Sequence, residues 1–137
     1  MPQLIETWTN KRLTPAQYPD EARTEALPFG PSLTVVAGQT IAVSTTTNKG
    51  APYANAGANG TGTAKGLSVY DFTTDANGKV MLGGQAGQVV DANTALSDTA
   101  PIFIAGTFDP NDLTNFDAAA QTAMGGRVIG NGFIRIP

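Results

Sequence analysis

From Leu33 onward the apolar positions of the chain fall in short runs, and most of those runs have the spacing of strands. "LTVVAGQTIAV" (33–43) is rich in β-branched residues and predicts strand, with Gly38 as a bulge or bend. "GLSVYDF" (66–72) and "KVMLGG" (79–84) predict two further strands. Between them Asn77-Gly78 is the strongest short hairpin signal in the chain. A short strand is expected around Val89 and Val90, within a loop spanning 85–100. "PIFIAGTF" (101–108) is another clear strand, closed by Asp109-Pro110-Asn111-Asp112, which has the composition of a turn. The closing "GRVIGNGFIRI" (126–136) predicts one strand. Val128, Gly130, Gly132, Ile134 and Ile136 would share a face, with Arg127, Asn131 and Arg135 on the other.

Two stretches depart from this pattern. "LTNFDAAAQTAMGG" (113–126) has helical spacing, with Phe116, Ala119, Ala120 and Ala123 or Met124 as its apolar stripe. Thr114 would cap it, Asp117 would complete a capping box, and Gly125-Gly126 would end it. Residues 44–66, "STTTNKGAPYANAGANGTGTAKG", hold almost nothing to bury and predict a surface loop. This loop lacks the Gly-Lys-Ser/Thr ending of a phosphate-binding loop.

The first 31 residues differ again. They contain five of the nine prolines and one of the sixteen glycines, which argues against a long helix or a central strand there. Leu4, Ile5, Trp8, Leu13 and Tyr18 punctuate the segment as apolar anchors, more than a disordered tail ordinarily carries. The reading is an extended N-terminal arm, residues 1–30, before a β-rich domain, residues 31–137. The fold class is α+β, predominantly β: a small barrel-like or tulip-like domain with one short helix.

Composition narrows the chemistry. The 137 residues suit a single domain, and a charge of −3 without a basic tract gives no footing for nucleic acid. No apolar run approaches a membrane span, and the opening "MPQLIETWTNKR" lacks the layout of a secretory leader. With no cysteine and no histidine, disulfides, thiolate metal sites and every His-dependent nucleophile system are excluded. Asp75 and Asn77 resemble the opening of a calcium loop, but the later acidic ligand of that motif is missing. Asp109, Asp112 and Asp117 are the one carboxylate group worth testing for acid–base catalysis. Each sits where turn hydrogen bonding or a helix start ordinarily places Asp. No cofactor, metal or catalytic residue is expected, and the chain reads as a binding or structural protein.

The order of segments adds a resemblance. "AKGLSVYDF", then "FIAGTFDPNDL", a short helix and the closing "GRVIGNGFIRI" resemble the phage lambda-type head decoration proteins, over about residues 27–136. The glycine-, alanine- and asparagine-rich stretch 50–62 and the loop 85–100 look like enlarged surface loops relative to that family. The resemblance implies a homotrimer that sits at threefold positions on the outside of an expanded icosahedral head, made in the host cytoplasm. It implies the major capsid protein as partner, contacted by Leu4, Ile5, Trp8, Leu13 and Tyr18, and stabilisation of the shell against internal DNA pressure. Leu27, Pro28, Phe29 and Pro31, at the start of the domain, are the candidate trimer contacts. Neither nucleic acid nor membrane is an expected partner. The alternative is a fibre- or adhesin-like β module that binds a glycan through its Gly/Asn/Thr-rich loops.

Overall fold

The computed structural model of the chain describes residues 12–82 and 97–137. The elements run β1 (Arg23–Leu27), β2 (Thr34–Val35), β3 (Thr40–Val43), β4 (Gly50–Pro52), β5 (Ala64–Ser68), β6 (Phe72–Thr74), β7 (Val80–Leu82), β8 (Ala100–Phe108), α1 (Ala118–Ala123), β9 (Arg127–Val128) and β10 (Ile134–Ile136). Single 3₁₀ turns cover Pro19–Glu21 and Pro110–Asp112. The domain is α+β and mostly β; among the described residues there are one α-helix and two antiparallel sheets, and the sheets do not close into a barrel. The larger sheet joins β4, β3, β5, β8, β10 and β9, with β1 added to β8; the smaller one is β2-β6-β7.

β8 is the strand around which the rest is built. At Phe103 it pairs with both Leu67 of β5 and Thr24 of β1. At Thr107 it pairs with Arg135 of β10 and forms a bridge with Gln17. With a partner along both edges and packing on both faces, it must be apolar at nearly every position. Ala100 and Ile102 join a core with Phe29, Val35, Ile41, Phe72 and Val80. Phe103 joins a second core with Leu13, Leu67, Val69, Phe108, Ile134 and Ile136. Phe103 and Phe108 are five residues apart and would face opposite ways in a regular strand, yet their rings pack 5.1 Å apart in the same core. Gly106, at φ 144°, lies between them, and a Cβ there would stand 2.8 Å from the Phe108 ring. Glycine therefore makes the reversal of face possible.

Several expectations hold. Residues 72–74 and 80–82 form a hairpin across the Asn77-Gly78 turn, with Gly78 at φ 81°. Asp75 Oδ1 accepts from the backbone N–H groups of Asn77 and Lys79, each at 2.8 Å. The bend at Gly38 lies between β2 and β3. The strand read at 101–108 is β8. The strand read around Val89 and Val90 lies outside the described residues.

Other expectations are corrected. The closing segment is a hairpin, not one strand: β9 and β10 pair across a turn in which Gly132 has φ 87° and donates to Ile129. Ile134 and Ile136 are buried, whereas Val128 is 60% exposed. Residues 66–72 likewise divide between β5 and β6. The 44–66 loop contains β4, and its Tyr53 is buried beside Ala42, Ala64 and Ala120. The helix starts later than its capping box implied. Asp117 is the N-cap, accepting from Ala120 N at 2.8 Å. Thr114 is instead held in the sheet: its N–H donates to Gly38 O, and its carbonyl accepts from Thr40 N, both at 3.0 Å. Of the stripe, Ala120 is buried, Phe116 and Met124 are half-buried, and Ala119 and Ala123 are exposed.

Candidate interaction surface

The segment before residue 31 divides into a part built into the domain and a part exposed upon it. Arg12 bridges Tyr70, and Leu13 N donates to Val69 O at 2.7 Å. Leu13 is 4% exposed and belongs to the same core as Phe103 and Phe108. Leu13 is thus not an anchor free for a partner; burial of a leucine stabilises its own domain by about 1.5–3 kcal/mol. Phe29 is corrected in the same way. It is 1% exposed and packs edge-on against Phe72 with ring centroids 4.8 Å apart, so it cannot be a trimer contact. Leu27 is half-buried against that core, while Pro28 and Pro31 are exposed. The boundary drawn at residue 30 falls inside the folded unit, because residues 12–29 supply a strand and two core side chains. Leu4, Ile5 and Trp8 lie outside the described residues.

The exposed part is centred on Tyr18 and β1. Tyr18 is 55% exposed and adopts the left-handed conformation at φ 53°, uncommon for a bulky residue. Pro19 and the 3₁₀ turn after it fix that corner, and Ala16 N donates to Thr107 O at 2.8 Å just before it. Arg135 of β10 reaches the same corner. Its guanidinium lies 6.0 Å from the centre of the Tyr18 ring and 2.7 Å from the Glu21 carboxylate. Both groups of this ion pair are partly exposed, so it orients the segment more than it stabilises it. In β1 the first four residues, Arg23 to Ala26, are all exposed. A strand hydrogen-bonded to β8 yet open on both faces presents its side chains to whatever lies outside the domain.

Clefts among the described residues include the following three. One of about 530 Å³ lies between Arg12, Val36, Asp71 and Asp112. One of about 370 Å³ lies beside Arg23 and Arg135. One of about 550 Å³ lies between the 53–55 loop and the segment 113–117. At the third, the Tyr53 hydroxyl donates to Asp117 Oδ1 at 2.9 Å. The Ala120 N–H bond holds the Asp117 carboxyl below its ordinary pKa, against some desolvation, with the Tyr53 bond adding to the effect. Burial, then the neighbouring Asp117, pushes the Tyr53 hydroxyl up.

Two of the three carboxylates tested for catalysis are engaged locally. Asp109 Oδ1 accepts from Asn111 N at 2.9 Å, and Asp117 caps α1. Asp71 Oδ1 accepts from Ala37 N at 2.7 Å, closing the β2–β3 turn from the far side. Among the described residues no group of three or more acidic side chains is placed to hold a metal ion. Sequence reasoning missed the cleft beside Tyr53; the signal was a lone aromatic in an otherwise small-residue loop. Compared with known proteins, the chain matches no family model, no curated protein and no solved structure.

Proposed function

We propose that this protein is a capsid decoration protein. It binds the outside of an expanded icosahedral phage head as a trimer at threefold positions and stabilises the shell against internal DNA pressure. The observation that supports this reading is the way the resembling segments meet. The strand from "AKGLSVYDF", the strand ending Ala-Gly-Thr-Phe and the closing Ile-Arg-Ile are β5, β8 and β10, and β8 pairs with both of the others. Motifs distant in sequence thus form one continuous unit, with the Asp-Pro-Asn-Asp turn and α1 between β8 and β10.

The N-terminal side of that unit suits partner binding. Tyr18 and β1 are exposed, and residues 1–11, with Leu4, Ile5 and Trp8, precede them. An apolar segment of that kind can add itself to a partner's sheet or groove. Three such segments in one trimer multiply weak contacts into high avidity. A ligand that binds only the expanded shell stabilises that shell by mass action. The test is cosedimentation of the purified protein with phage heads lacking their decoration protein, before and after expansion. Binding to expanded heads alone is the expected result; equal binding to both, or to neither, rejects the proposal.

A further inference from the structure

We propose that the cleft between the 53–55 loop and the segment 113–117 binds a neutral sugar ring. Its lining supplies the groups such a ring requires. Asn55 and Asn115 are exposed, and each side-chain amide brings a carbonyl acceptor and an NH₂ donor, which matches a vicinal diol. Asp117 adds a carboxylate acceptor. Its Oδ1 is held by Ala120 N and the Tyr53 hydroxyl, so the group is fixed in place beside the cleft. Phe116 and Leu113, both half-buried, supply apolar surface for the C–H face of the ring. Phe116 packs against two of the cores and is anchored by them.

The walls are tied together before any ligand arrives. Tyr53 N donates to Thr40 O at 2.9 Å, and Thr40 N donates to Thr114 O at 3.0 Å, so one residue of β3 holds both sides. A site whose walls are fixed by the scaffold loses little entropy on binding. The volume, about 550 Å³, falls within the roughly 300–1,000 Å³ usual for ligand pockets. The other two clefts lack this chemistry, since neither is lined by an aromatic side chain. In the cleft beside Arg135, that residue is already paired with Glu21.

The test is a ¹H–¹⁵N NMR titration of the full chain with glucose, galactose and N-acetylglucosamine, and with a polysaccharide that carries the responding ring at its end. Saturable shifts confined to residues 53–55 and 113–117 are expected. Response to the free ring alone identifies a monosaccharide ligand; response to both identifies a glycan terminus. Asn115→Gly removes the amide while keeping the left-handed backbone of that position, φ 58°. Asn55→Ala removes the other amide. Each should weaken binding by about fivefold, one hydrogen bond's share, with the unfolding midpoint of Asn55→Ala unchanged. No saturable shift with any sugar, shifts elsewhere, or wild-type affinity in both variants would overturn the proposal. The experiment uses no capsid, so its failure leaves the decoration reading untouched.

Discussion

Gly38 and Gly132 have nearly the same backbone conformation, φ 86° and 87°, in opposite surroundings. A Cβ on Gly38 would stand 2.1 Å from the carbonyl oxygen of Asp112, whereas one on Gly132 would meet nothing within 4 Å. Gly132→Ala should therefore show only the left-handed backbone penalty, about 1–2 kcal/mol. Gly38→Ala should lose clearly more, because the 110–112 turn must move away from the β2–β3 bend. Urea denaturation of the two variants isolates the packing term as their difference; equal losses would contradict the close approach. Asp117 gives a second prediction at this scale. Its folded pKa lies below the ordinary 3.8. The stability it contributes is therefore present above that value and is lost as pH falls through the lower folded value. Asp117→Asn keeps an N-cap acceptor without the titration. Unfolding midpoints measured from neutral pH down to pH ~2.5 should fall less steeply for this variant than for the unchanged chain. A single glycine's role in a bend was legible from its residue type; the identity of the helix cap was not. Thr114 and Asp117 both satisfy capping chemistry, and only the sheet contact of Thr114 with Gly38 and Thr40 decides between them.

Among elements, the reading succeeded where local signals and tertiary pairing agreed, as at the β6–β7 hairpin and β8. It failed at the two ends of the domain for different reasons. In 126–136 the spacing of a single strand also accommodates a hairpin, because Gly130 and Gly132 fit either an extended face or a turn; Gly132 N donating to Ile129 O resolves it as a turn. In 12–29 proline and charge content suggested an appended arm. The bonds that incorporate this segment run to Val69 and Thr107, more than fifty residues away, and no local pattern reports them. This revised boundary makes its own prediction. Leu13→Ala should destabilise the domain by about 2–5 kcal/mol and Phe29→Ala by about 3–5 kcal/mol, the range for core truncations. Tyr18→Ala, at a residue 55% exposed, should leave the unfolding midpoint nearly unchanged. If Leu13→Ala and Phe29→Ala unfold like the unchanged chain, residues 12–29 are an appendage after all.

For the whole molecule, the buried position of Leu13 changes how the proposed capsid-binding role of the N-terminal segment must be tested. A deletion reaching into β1 would remove a core side chain and a strand paired with β8. Lost binding would then report unfolding rather than a missing contact. Deletion of residues 1–11 removes Leu4, Ile5 and Trp8 and stops before the Arg12–Tyr70 bridge. The truncated protein should keep its unfolding midpoint, because Leu13 and the residues after it still supply the core. On the decoration reading proposed above, in which three arms act together in a trimer, its affinity for expanded heads should fall by about 10²-fold or more, because the loss is compounded. Light scattering on the same samples separates the two routes to that loss. A truncated protein that still assembles as the full chain does, but fails to cosediment, places the contact in residues 1–11. If binding persists undiminished, the contact must lie on the folded surface, where Tyr18 and the open faces of β1 are among the exposed groups.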